Sequence, residues 1–395
     1  MKTILHHANV VLLDRILYDG GAEITDDTIT GVFREEDMPK DAAAEYIDCG
    51  LQYLSPGFID LHLHGGGGAD FMDGDERAVQ TVLGVHARHG TTSFLPTTLS
   101  ASQEGVIKAL RAIEKAQLER SAGPKILGAH LEGNFISMRQ KGAQDSAYIY
   151  PPLKENYEPI VSSVGNIRMV SCAPETEGAC AFSELMRKRG IVMSVAHSDA
   201  NYEEFMRGFE SGFSHVTHVY NGNSWLHSPY YYCQIGVCEA ALLEKDCYVE
   251  VIADGKHLPW QLLKLIYQIK GADRVNLCTD AMCAACMPEG AGYKLGALDV
   301  IIEDGVAVLK DRSSFAGSVC TSDHAVRTMY REAGVPLQDA VKMMSATPAR
   351  ILGEFERIGS IAVGKKADMV LFDEEINVHD IWIDGARYLP GEIKV

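Results

Sequence analysis

The sequence predicts an α/β chain: a (β/α)8 barrel carrying a small β domain built from both chain ends. Three observations lead there. Eight short apolar, β-branched runs alternate with longer amphipathic segments through the middle of the chain. Both ends instead hold short strand-like pieces separated by turn residues, with little helical pattern. Polar residues collect at the C-terminal ends of the eight runs, where barrel enzymes build their sites.

In chain order, residues 1–52 contribute strand-like pieces such as TILHHANVVLL to the small domain. The barrel is expected over 53–355. Its strands are FIDLHLH (58–64), TSFLPTT (92–98), ILGAHLEG (126–133), IRMVSCAPE (167–175), IVMSVAHS (191–198), HVTHVYN (215–221), YVEVIAD (248–254) and VNLCTDAM (275–282). Segments such as ERAVQTVLGVHARHG and EGVIKALRAIEKAQLER carry the helical crossovers. After strand eight, LDVIIEDGVAVLK (298–310) reads as a hairpin turning at Asp304-Gly305. Residues 356–395, with ADMVLF and DIWIDG, complete the small domain. Neither end is large enough to bury a core alone.

At 395 residues, with 46% hydrophobic and 23% charged residues, the composition is that of a soluble globular protein. The apolar run in MKTILHHANVVLLD is too short for a signal peptide or a membrane span, so a cytoplasmic location is expected. Ten unevenly placed cysteines read as reduced thiols rather than a disulfide framework. A net charge of −18 argues against nucleic acid or an anionic membrane as partner, while leaving room for a small anionic substrate.

The rim constellation carries the chemistry. Strand one ends in His62 and His64, two apart and therefore on one face, able to offer two imidazoles to one ion. Glu132 on strand three is placed to bridge that ion to a second one, held by His197 on strand five and His218 on strand six. Strand seven runs into Asp254 and His257, and strand eight ends in Asp280. His215, three residues before His218, is expected to pack outward by strand alternation. Mixed imidazole and carboxylate donors accept zinc, iron, manganese or cobalt; zinc is the first expectation, with one or two divalent ions per subunit.

These residues stand in segments that resemble the amidohydrolase superfamily, and within it the N-acetylglucosamine-6-phosphate deacetylase family. The matching pieces are PGFIDLHLHGGGG (56–68), GAHLEGNF (128–135), VAHSDA (195–200), THVYNGN (217–223), IADGKH (252–257), TDAM (279–282), FAGS (315–318) and the tail SATPARILG…GSIAVGKKADMVLFD (345–373). The match is collinear over nearly the whole chain. The resemblance implies a distorted (β/α)8 TIM barrel with a small β-sandwich from both termini. It implies Glu132, His197 and His218 as the main metal ligands, His62 and His64 as ligands of a second ion, and Asp280 as the catalytic carboxylate. Substrate contacts implied are Ala143, Gln144, Asn221, Gly222, His257, Phe315, Ala316 and Gly317. The activity implied is deacetylation of an N-acetylated amino sugar, N-acetylglucosamine 6-phosphate or a related N-acetylhexosamine, by metal-activated water with Asp280 as general base and acid, in a homodimer.

Two departures bear on the substrate. The family's histidine in the KGAH segment is replaced by Gln144, which hydrogen-bonds but carries no charge. The family's phosphate-contacting arginine loop is replaced by NGNSWLHSPYYYCQIG, which has no arginine. Tyr230–Tyr232 and Trp225 suit either a subunit interface or a reshaped sugar pocket, with Arg139, Lys141 or Lys256 as compensating charges. A different amide, cyclic amide or amino-purine substrate is the alternative that these departures favour. Gly65–Gly68 lacks phosphate-loop spacing and reads as a loop beside the metal strand. Cys283 and Cys286 form a lone CxxC with no partner pair.

Overall fold

The computed structural model describes residues 1–120, 122–228, 231–290 and 292–389. The eight runs form strands Phe58–Leu63, Thr91–Pro96, Lys125–Ile126 continued by Ala129–Leu131, Ile167–Cys172, Val192–Val195, Phe213–Val216, Tyr248–Ile252 and Val275–Cys278. Helices between and after them, from Glu76–Ala87 to Trp260–Lys270 and Ser322–Arg327, make the crossovers of a TIM-barrel-type α/β fold. The strands are short and buried on both faces, which is why they read as apolar runs rather than alternating ones.

The barrel wall is not one continuous ladder. The Ala129–Leu131 half of strand three and strands four to eight form a six-stranded parallel sheet, while strand two pairs with strand one on one side and with Lys125–Ile126 on the other. The break falls at Gly128, whose φ of +144° places a hypothetical Cβ 2.3 Å from Arg168 Cγ and 2.5 Å from the Asn166 carbonyl. Only glycine fits there. Its bend lets one half of strand three pair with strand two and the other half with strand four. Backbone bonds at the C-terminal end join the two sheets. Thr98 N–H donates to the His130 carbonyl at 3.0 Å, Asp280 N–H to His62 at 2.9 Å, and His64 N–H to Ala281 at 2.8 Å. The last two tie the strand carrying the paired histidines directly to the strand carrying the aspartate.

Local chemistry starts the crossover helices where the pattern places them. Asp75 and Ser102 cap the helices Glu76–Ala87 and Gln103–Leu118, and Asn201 with Glu204 forms a reciprocal capping box on Tyr202–Ser211. Each such cap is worth about 1 kcal/mol.

Strands from both chain ends join one eight-stranded mixed sheet. Tyr53–Pro56 links them, pairing in parallel with the first strand, Lys2–Val11, and antiparallel with Met369–Phe372. This sheet has its own apolar cluster around Leu5, Ile24, Leu54, Met369 and Trp382. The hairpin after strand eight forms as expected: Leu298–Glu303 pairs with Val306–Leu309, and Asp304 and Gly305 turn at φ +53° and +73°. A third strand, Gly292–Leu295, extends it, and its apolar face packs on Leu99, Met282 and Ala316 beside the barrel mouth. Among the described residues no helix is long and apolar enough to cross a membrane.

Candidate active site

Four of the rim imidazoles converge on one buried carboxylate. Glu132 Oε1 lies 3.5 Å from His197 Nε2 and 3.4 Å from His218 Nε2, while Oε2 lies 3.5 Å from His62 Nε2 and 3.4 Å from His64 Nε2. Asp280 Oδ1 closes the second group, 3.2 Å from His64 Nε2 and 3.6 Å from His62 Nε2. Glu132 thus divides two half-sites, one imidazole pair on each oxygen.

The strand ends bend sharply to achieve this. His197, His218 and Asp280 sit at φ +47°, +28° and +48°, a region non-glycine residues avoid at a cost of about 1–3 kcal/mol each. The strain turns their side chains over the barrel mouth instead of along the strand alternation. It also explains why parity misplaces His215. That ring is fully buried and turns toward the interior, its Nδ1 2.8 Å from Ser194 Oγ and its Nε2 4.0 Å from Glu250 Oε2. His218 lies beyond the end of the strand at Val216, so the two rings need not face opposite ways.

A metal fits the donors. Zinc–nitrogen and zinc–oxygen bonds of about 2.1 Å imply donor–donor separations near 3.4 Å in a tetrahedral shell, and the observed separations of 3.2–3.6 Å bracket that value. Glu132 Oε1 is buried with no hydrogen-bond partner, a state that a bound cation relieves. Burial opposes ionisation of Glu132, but His62, His197 and His218 override it and hold its pKa well below the usual carboxylate range. Asp280 behaves alike: burial raises its pKa, the His62 and His64 imidazoles lower it, and it ends at about 2.

The structure adds a residue that the sequence reading missed. Glu250, fully buried on strand seven, accepts from His62 Nδ1 at 2.9 Å, from Asn276 Nδ2 at 3.1 Å and from the His218 backbone N–H at 3.3 Å. With Nδ1 donating to a carboxylate, His62 Nε2 is turned toward the half-site as a lone-pair donor. An acid inside the apolar run YVEVI was the available signal; its partner lies 188 residues away in sequence. Glu250→Gln keeps the shape but weakens the acceptor, and is expected to lower metal affinity about 10- to 100-fold. Competition with a chromogenic chelator measures this directly.

A cavity of about 440 Å³ opens over the half-sites, lined by His64, Glu132, His197, His218, Asp280, Ala143, Gln144, Asn221, Gly222, Phe315 and Gly317, with Arg139 and Lys141 also on its wall. Gly222, at φ +61°, passes so near His197 that a Cβ would lie 2.7 Å from Nδ1. Gln144 donates from Nε2 to Glu132 Oε2 at 3.2 Å while its oxygen accepts from Ser100 N–H at 2.8 Å. It therefore positions the bridging carboxylate as well as facing the cavity. Two of the residues named from sequence stand back from the wall. Ala316 is fully buried behind it. His257 is held by Asp254 Oδ2 at 2.7 Å and packs 4.3 Å from the Phe315 ring, its Nε2 buried and unpartnered.

Of the two readings of the aromatic loop, a subunit interface or a reshaped sugar pocket, the described residues give no support to a place in this cavity. Trp225, Tyr231 and Tyr232 are exposed and none lines this cavity; Tyr230 lies outside the described residues. Trp225 and His227 line an adjoining cavity of about 640 Å³, which shares Met138, Arg139 and Gln140 with the first. The glycine run is a tied loop: the N–H groups of Gly65, Gly67 and Gly68 donate to the carbonyls of Ala281, Ala285 and Cys283. Cys283 and Cys286 are free thiols with separate partners, the Lys294 carbonyl and His89 Nε2.

Comparison with known proteins decides the family. The amidohydrolase family matches residues 53–387. The chain belongs to the amidohydrolase family. This amidohydrolase is 33% identical to N-acetylglucosamine-6-phosphate deacetylase of Vibrio furnissii, over 96% of this chain and 94% of that protein. It is 35% identical to N-acetylgalactosamine-6-phosphate deacetylase of Escherichia coli O157:H7, over 85% of this chain and 87% of that protein. Among solved structures, N-acetylglucosamine-6-phosphate deacetylase from Pasteurella multocida superposes with a TM-score of 0.92 at 27% identity, covering 98% of this chain and 100% of that one.

Proposed function

We propose that this amidohydrolase removes the acetyl group from an N-acetylated amino-sugar phosphate, an N-acetylhexosamine 6-phosphate. The observation that carries the reading is Glu132 between two imidazole pairs, with Asp280 beside them at the floor of a sugar-sized cavity. The relatives named for this activity support it.

Glu132, His197 and His218 would hold one divalent ion, zinc first among iron, manganese and cobalt, and His62 and His64 with Glu132 a second; once bound, these would supply Lewis acidity toward the amide carbonyl and water. Asp280 starts as a carboxylate and takes a proton from the attacking water at a carboxylate oxygen. It then delivers that proton to the leaving amine nitrogen, so acetate and the free amino sugar are the products. Phe315, backed by His257, and the Asn221-Gly222 segment form the walls that orient the sugar. Arg139, paired with Asp199 at 3.0 Å, and Lys141 stand on the cavity wall, where they would meet the phosphate in place of the arginine that the 221–236 loop lacks.

The working form is a homodimer in the cytoplasm, with residues 1–52 and 356–395, joined by the strand Tyr53–Pro56 at the start of the 53–355 barrel segment, as a small β-sandwich domain. Acetate release from N-acetylglucosamine, N-acetylgalactosamine and their 6-phosphates tests the reading. A kcat/KM at least about tenfold higher for a 6-phosphate, the equivalent of one charge-assisted contact of roughly 1.4 kcal/mol, is expected. Equal rates would remove the phosphate from the proposal, and no acetate from any of the four would remove the reaction.

A further inference from the structure

Outside the barrel, a second group of metal donors stands on the sheet formed by the chain ends. The strand Lys2–Val11 pairs with Ile16–Thr25 in register up to Leu5 opposite Ala22, and pairing resumes at Ala8 opposite Gly20. His6 and His7 therefore face a single residue, Gly21, in a β-bulge. Neighbouring side chains in a regular strand point to opposite faces. Here His7 takes φ +49°, and the two imidazoles come together with ring centroids 5.0 Å apart. Gly21 is required beneath them, because a Cβ there would lie 2.1 Å from the Leu5 carbonyl oxygen.

Both rings turn to one carboxylate. Glu35, which opens the short turn Glu35–Asp37, places Oε1 3.3 Å from His6 Nδ1 and 3.5 Å from His7 Nε2. Its Oε2 accepts the backbone N–H of His7 at 2.9 Å, fixing the carboxylate against the bulge. The other ring nitrogen of His7, Nδ1, is held by Asp19 Oδ1 at 2.9 Å. That is the arrangement in which a carboxylate orients a ligating histidine and leaves the opposite nitrogen for the ion. The donor separations match the edge of about 3.4 Å expected of a tetrahedral zinc shell. His6 and Glu35 are largely buried while His7 is 42% exposed, so one side of the group faces solvent.

We infer that His6, His7 and Glu35 form a second, non-catalytic metal site for a divalent transition ion such as zinc. Two imidazoles and one carboxylate favour zinc, copper or nickel over calcium or magnesium, which take all-oxygen shells. The ion ties the bulged first strand to the turn after Thr28–Arg34, stapling the sheet that joins the chain ends. None of its ligands belongs to the catalytic set.

Elemental analysis of the full chain tests this, after equilibration with zinc and removal of the excess. Wild type is compared with Glu35→Gln and with the double variant His6→Ala/His7→Ala. The expected result is one zinc per chain fewer in both variants, with kcat/KM unchanged and a zinc-induced rise in Tm smaller than in wild type. Glu35→Gln keeps the bulge and both rings, so it reports on the site even where the double variant folds poorly. Equal zinc in wild type and Glu35→Gln overturns the inference, as does a loss of zinc that brings an equal loss of activity.

Discussion

Asp280→Asn is expected to lower kcat/KM about 10²- to 10⁴-fold, the range for loss of a positioned proton carrier. The substitution preserves volume, and backbone bonds hold residue 280 in place: its N–H donates to the His62 carbonyl at 2.9 Å and its carbonyl accepts from Ser318 N–H at 2.7 Å. What changes is the carboxylate oxygen 3.2 Å from His64 Nε2, which loses both its charge and its capacity to take a proton. Glu132, His197 and His218 are untouched, so the half-site that they form keeps its ion. Steady-state kinetics with elemental analysis on the same sample check this. Residual metal with near wild-type turnover would remove Asp280 from the chemistry.

Glu132→Gln is expected to be more severe, with activity down about 10⁴-fold or more because several kcal/mol of metal-derived stabilisation go with the ions. The reason is geometric: Glu132 supplies an oxygen to both imidazole pairs, so one substitution weakens two half-sites. It also leaves buried imidazoles without their counter-charge. In the metal-free chain, burial opposes protonation of His62, yet Glu132, Glu250 and Asp280 hold its pKa well above the ordinary value. Removing one of three carboxylates upsets that balance, so a lower Tm accompanies the loss of metal. Gln144, which donates to Glu132 Oε2, does not rescue the site, because an amide cannot replace the bridging anion.

Strand ends were legible because chemistry and pattern coincide there: an apolar run, then a histidine or acid, repeated along the chain. The same repetition made the hairpin at Asp304-Gly305 readable, since that dipeptide supplies both positive φ values. Contacts made between distant runs were not readable. Glu250 shows in sequence only as an acid in a strand, and its hold on His62 depends on where the barrel closes. His215 was misread for a physical reason: alternation holds only within a strand, and the chain leaves the strand before His218. The split of strand three at Gly128 depends on Arg168 and Asn166 of the neighbouring strand, which no local pattern encodes. The tyrosine loop shows neither helix nor strand periodicity, and the exposure of Tyr231 and Tyr232 came only from the fold.

Metal dependence tests the central claim most directly. The chain is stripped of metal by a chelator, shown metal-free by elemental analysis, and titrated with zinc while acetate release from an N-acetylhexosamine 6-phosphate is followed. No release from the metal-free chain, with activity returning as zinc binds and failing to return in Glu132→Gln, is the predicted result. Acetate released at the original rate by metal-free protein would contradict the account.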